Sequence, residues 1–143
     1  MSDLSRHGAY LAEAVAAAQA APQSRRKALL AALLIDAQVD RLFAATPGAD
    51  DILNFRAQLA AASPALGLVL DLCAQRVDGP RLALEAVAVP IADYGGLSVA
   101  DFMVSLYNDH SVQRLMIGAP DGARQPALEI LVEAVEALHL ISA

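Results

Sequence analysis

Between Tyr94 and Gly118 the run YGGLSVADFMVSLYNDHSVQRLMIG gathers side chains able to do chemistry, in a chain that elsewhere is mostly alanine, leucine and valine. His110 could act as a general base or a metal ligand, because imidazole changes charge near neutrality. Asp101 and Asp93 are the carboxylates placed to orient it. Asp109 is its direct neighbour, and neighbouring side chains point apart, so it orients poorly. The candidate catalytic residues are Asp101, Asp109 and His110, with Tyr107, Asn108 and Arg114 as ligand-binding neighbours. The same residues also have a purely structural reading. A cation suits a helix C-terminus and asparagine tolerates left-handed backbone, so Asn108 and His110 could simply end a helix.

Other constellations are thinner. Glu136 and His139 have the Glu-x-x-His spacing of a di-iron bundle, but the chain holds no second such motif. His139 is more simply a charge suited to a helix C-terminus. Asp36 and Asp40 lie four residues apart without a histidine nearby, which reads as a solvated face. The run GAPDGAR, from Gly118 to Arg124, lacks the Gly-Lys-Ser/Thr of a phosphate loop. With three tyrosines, three phenylalanines and no tryptophan, little is present to stack a base or a flavin. No metal site and no cofactor are expected.

The charge balance narrows the partners. A formal charge of −6 argues against nucleic acid, whose binders concentrate positive charge. The only basic cluster is Arg25, Arg26 and Lys27, in what reads as the first turn of a helix. The helix dipole disfavours cations there. It is either a solvated turn or a docking patch for an acidic protein partner. Arginine supplies nine of the ten basic residues, the mark of a GC-rich genome.

Hydrophobic residues make up 57% of the 143 and charged residues 18%, so folding must hide much surface and self-association could hide more. The lone Cys73 sits in an apolar run and reads as a buried, inert thiol. The N-terminal MSDLSRHGAY lacks the pattern of a signal peptide. The longest apolar run, Ala28 to Ile35, is far short of the roughly 20 residues that span a bilayer. These features lead to an expectation of a reduced, cytoplasmic protein.

The elements that must position these residues follow from spacing. Ser2 caps a helix whose stripe is Leu4, Leu11, Val15 and Ala18, stopped by Pro22; its narrowness suggests late packing over other helices or across a partner chain. Ser24 opens a second helix, Arg25 to about Ala45, apolar all round from Ala28 to Ile35, with Val39, Leu42 and Phe43 inward beyond that. A third runs from Asp51 to about Ala61 with Ile52, Phe55 and Leu59 on one face. A fourth, started by Ser63-Pro64, buries Leu66, Leu70 and Cys73. Arg81 to Ile91 alternates like a strand, although Pro80 and Pro90 could also bound a short helix. Ser98 caps a helix from Val99 to about Asn108 that should bury Phe102, Met103, Leu106 and Tyr107. Arg114 to Ala119 is strand-like, and Pro120-Asp121-Gly122 a turn. Pro126 opens a last helix with Leu128, Leu131, Val135 and Leu138 inward and Glu129, Glu133 and Glu136 outward.

The expected fold is a mainly helical α+β domain over residues 1–143, with five or six helices and a two- or three-stranded sheet in the second half. An all-α bundle is the alternative. The expected function is a non-catalytic protein-interaction or accessory domain, self-associating through Ala28–Ile35 or the first helix. The alternative is a small-molecule site or modest enzyme around residues 101–114.

Overall fold

The computed structural model describes residues 2–142. It is a mainly helical α+β structure with a three-stranded antiparallel sheet in its second half. The all-α alternative is excluded by Arg81–Ala88, which is a strand.

Helix α1, Asp3–Ala20, begins where the Ser2 hydroxyl accepts the Ser5 N–H at 3.1 Å. It buries His7, Leu11, Ala14, Val15 and Ala18, three and four residues apart, along α2, Arg25–Ala45. The Ser24 hydroxyl caps α2 by accepting the Lys27 N–H. The inner side of α2 carries Ala28, Ala31, Ala32, Ile35, Val39 and Leu42, and its alanines let α1 lie close. Burial is not all round as expected, because Leu30 and Leu33 remain exposed.

Asp51 caps α3, Ile52–Ala62, through the N–H groups of Leu53 and Asn54. Ser63 both ends α3 and caps α4, Pro64–Ala74, with proline at the first helical position. Gln75 ends α4 in left-handed backbone. Of the α4 residues expected inside, Leu66 and Leu70 are buried and Cys73 half-buried. Helix α6, Ala127–Ser142, lays Ile130, Leu131, Ala134 and Leu138 against α4 and α2, with Leu128 and Val135 at the margin.

Strand β1, Arg81–Ala88, pairs with β2, Ser111–Gly118, and β2 with the short β3, Arg124–Pro126. Leu82 lies opposite Ile117 and Leu84 opposite Leu115. Opposite residues share a face, and Leu82, Leu115 and Ile117 join the helical core. Between β1 and β2 come a 3-10 helix, Ile91–Gly96, and α5, Val99–Tyr107. β2 starts three residues earlier than its alternation indicated, and neither β3 nor the 3-10 helix was foreseen.

The main correction concerns α5. Its only buried residue is Ser105, whose hydroxyl donates to the Phe102 carbonyl at 2.7 Å. The apolar residues expected inside face outward: Phe102 is 37% exposed, Met103 47%, Leu106 50% and Tyr107 82%. The helix is nine residues long and its main packing partner is β2.

Candidate functional site

The polar residues of the 94–118 stretch fall into two groups. In the first, Arg114 on β2 reaches Asp101 on α5 at 3.0 Å, both side chains partly shielded. Arg114 and Val112 share the side of the strand opposite to Leu115 and Ile117. Ser98 caps α5 through the Asp101 N–H at 3.1 Å, which fixes where the Asp101 carboxylate starts from. This pair opens onto a shallow depression of about 340 Å³, completed by Ser98, Ala100 and the α1–α2 turn from Ala21 to Ser24.

The second group lies at the other end of α5. The Asn108 side chain donates to the Val104 carbonyl at 2.8 Å, and the His110 N–H donates to the Ser105 carbonyl at 3.0 Å. Those bonds terminate the helix. The left-handed residues are Asp109 and His110, at φ 52° and 61°, rather than Asn108. His110 is exposed, and its Nδ1 meets the Tyr94 hydroxyl. Tyr94 also packs edge-on against Phe102, ring centroids 5.6 Å apart. The partner of His110 is thus a phenol from the 3-10 helix, whereas Asp101, expected to orient it, is spent on Arg114. Asp93, Asp109 and Tyr107 are exposed. His110, Tyr107 and Asn108 lie outside the lining of the Asp101–Arg114 depression.

Asp36 and Asp40 are not a plain solvated face. Arg56 of α3 bridges them, touching Asp36 and lying 2.9 Å from Asp40. Burial alone would lower the Arg56 guanidinium; its two carboxylate partners outweigh that and hold it above its ordinary value. Burial pushes the Cys73 thiol up to about 12, with Asp36 adding and Arg56 opposing. Glu136 and His139 are exposed. Among the described residues no three His, Cys, Asp or Glu side chains come together as a metal site. No helix there is long and apolar enough to cross a membrane.

Arg25 and Arg26 prove to be part of something larger than a basic turn. They line a groove of about 560 Å³ with Arg81 of β1, Leu29, Leu72, Gln75, Pro80 and Leu82. Lys27 is exposed beside it and outside the lining. Sequence spacing places Arg81 only at the head of a strand, because the turn that brings it to α2 joins elements whose approach no local spacing reveals. Its position directly after Pro80, heading a strand, was the available signal.

Comparison of the chain with protein-family models, with curated proteins and with solved structures returned no match.

Proposed function

We propose that this chain is a non-catalytic protein-interaction or accessory domain, acting in the cytoplasm, and that it self-associates. The observation that carries this is the outward face of α5. Val99, Phe102, Met103, Val104, Leu106 and Tyr107 are exposed on one short helix, and contiguous exposed apolar surface of this kind marks an interaction site. A second copy is the occupant that fits best. Phe102 to Asn108 carries no charge, so two such faces meet about a two-fold axis without like charges opposed. The α2 residues Leu30 and Leu33, exposed on a helix first suspected as the seam, offer less surface.

Light scattering on the eluting protein at tens of micromolar tests this. The expected mass is that of a dimer, and Met103→Glu or Leu106→Glu should yield a monomer with unchanged helical content. A wild-type monomer at every concentration overturns the self-association.

A second reading rests on the Asp101–Arg114 depression, which could take a small polar ligand. A thermal-shift screen of wild type and Arg114→Met against metabolites and nucleotides separates the two. A ligand at about one hundred times its dissociation constant adds roughly 2.7 kcal/mol. A shift lost in the variant would favour the small-molecule site.

A further inference from the structure

Among the described residues β1 pairs with β2 alone and has no strand on its other side. The register says which of its groups are unpaired. The Val89 N–H donates to the His110 carbonyl at 2.7 Å, making that a hydrogen-bonded pair, and in an antiparallel ladder such pairs alternate. Arg81, Ala83, Glu85 and Val87 therefore spend their backbone groups on β2. The other side of β2 agrees: the Ala119 N–H donates to Ala123, so odd-numbered residues there turn toward β3 and even-numbered ones toward β1. Leu82, Leu84, Ala86 and Ala88 thus turn N–H and C=O outward. Among the described residues no hydrogen bond from outside the sheet reaches them. Natural edge strands are usually blunted by proline, lysine or a bulge. From Leu82 to Ala88 this one has no proline, and its single charge, Glu85, is held by Arg124 at 2.9 Å.

The arginine groove lies at the start of the same edge, and Arg81 and Leu82 belong to both. Five other arginines, at 41, 56, 76, 114 and 124, pair with carboxylates. Among the described residues Arg25, Arg26 and Arg81 do not, and no acidic residue lines the groove. Arg81 donates, among the described residues, only to the carbonyls of Pro80 and Val77. Arg25 and Arg26 sit in the first turn of α2, where the dipole disfavours them and no acidic residue offsets them.

The geometry points to an extended acidic segment of a partner protein as the occupant of edge and groove together. It adds to β1 as a fourth strand, exchanging backbone hydrogen bonds with Leu82, Leu84, Ala86 and Ala88. A carboxylate of the segment meets Arg25, Arg26 and Arg81, and an apolar side chain rests on Leu29, Leu72 and Pro80. A second copy fits this edge less well. The one carboxylate its own β1 offers is Glu85, already held by Arg124, so the three arginines would stay unmatched. The inference rests on the reading of the chain as an interaction domain but uses a different face from α5.

The test is fluorescence anisotropy with a labelled peptide alternating valine and glutamate, beside one alternating valine and lysine. Wild type should bind the acidic peptide and not the basic one. Arg25→Glu with Arg81→Glu should weaken binding by about tenfold or more. Ala86→Pro removes one outward N–H without touching the β2 ladder and should weaken it similarly. Arg6→Glu makes the same kind of charge change outside the groove lining and should leave binding within about twofold after allowance for long-range charge. Circular dichroism checks that each variant is folded. No binding by wild type, equal loss in Arg6→Glu, or full binding by Ala86→Pro overturns the proposal. So does an Ala86→Pro variant that converts a wild-type dimer to monomer, which would give the edge to a second copy. The α5 variants report separately: if Met103→Glu still dissociates wild-type dimers while the peptide fails, the edge proposal falls and the interaction reading stands.

Discussion

His7 and Gln38, thirty-one residues apart, are buried against each other where α1 crosses α2, with His7 Nδ1 2.6 Å from Gln38 Oε1. An amide oxygen only accepts, so Nδ1 carries the proton and the imidazole tautomer is set by this contact. Gln38 Nε2 in turn points at the Leu4 carbonyl at 3.5 Å. This polar tie lies among buried side chains that are otherwise apolar, with the more exposed Asp3–Arg41 pair as a second polar contact between the two helices. It gives α1 one position along α2, where small apolar side chains alone would tolerate sliding. Gln38→Leu leaves a buried N–H without an acceptor and should cost about 1–3 kcal/mol, and His7→Leu a similar amount. The double variant should cost clearly less than the sum, because no polar group is then stranded. Urea unfolding of the three variants reads the coupling; strict additivity would show that the contact carries no energy of its own.

Arg56 holds α3 to α2 by bridging Asp36 and Asp40, with about a quarter of its side chain exposed. Arg56→Met keeps most of the packing and removes both ion pairs, leaving a partly buried Asp36 unmatched. A loss of about 1–2 kcal/mol is expected, below the range for fully buried pairs because solvent screens this one. Asp40→Asn, at the more exposed end, should cost little. If both substitutions proved equally mild, the bridge would be a surface pair without structural weight.

Cys73 gives a pH-dependent readout of the same region. Its folded thiol is pushed from 9.0 up to about 12, and the thiolate is the reactive form. Labelling by a disulfide reagent at pH 8 should therefore be slow in the folded protein and fast in urea. Asp36→Asn removes a carboxylate that helps raise the thiol and should speed labelling of the folded state. The linkage has a definite sign. A raised thiol keeps its proton in the folded state while the unfolded chain loses it, so this contribution is fully present below about pH 9 and declines toward pH 12. Near neutrality this thiol should give stability no dependence on pH.

The helices of the first half were legible because their signals are local. Ser2, Ser24 and Ser63 cap the helices they were expected to open, and the 3.6-residue period correctly names Leu11, Val15, Ala18, Val39, Leu42, Leu59, Leu66 and Leu70 as buried, though it also put the exposed Ile52 inward. The Arg81–Ala88 strand was legible through its alternation. What was not legible is tertiary. Phe102, Met103 and Leu106 have the spacing of an inward face, and periodicity can say that a helix has an apolar side but not that anything covers it. β3 is three residues long, too short to show a period. The separation of His110 from Asp101 was hidden for a related reason: Asp101 is claimed by Arg114 from the next strand, a pairing set by sheet register. The three-arginine groove needed two elements brought together by the turn after α4.

Asp109 and His110 are consecutive residues in left-handed backbone, and this juncture turns α5 into β2. The conformation costs an L-residue roughly 1–2 kcal/mol, a penalty glycine avoids at the price of greater freedom when unfolded. Neither side chain offsets this by a bond to the helix end; Asn108 supplies that bond instead. Asp109→Gly should accordingly stabilise the protein by about 0.5–1 kcal/mol, since relief of strain exceeds the added unfolded-state entropy. His110→Ala removes an exposed ring and its Tyr94 contact and should change stability by no more than about 0.5 kcal/mol. Thermal and urea unfolding check both. The pair also separates structure from chemistry. If Asp109→Gly gains stability but loses any ligand-induced shift that wild type shows, the strained carboxylate is held there for binding. A gain with no other consequence assigns Asp109 and His110 to the turn alone.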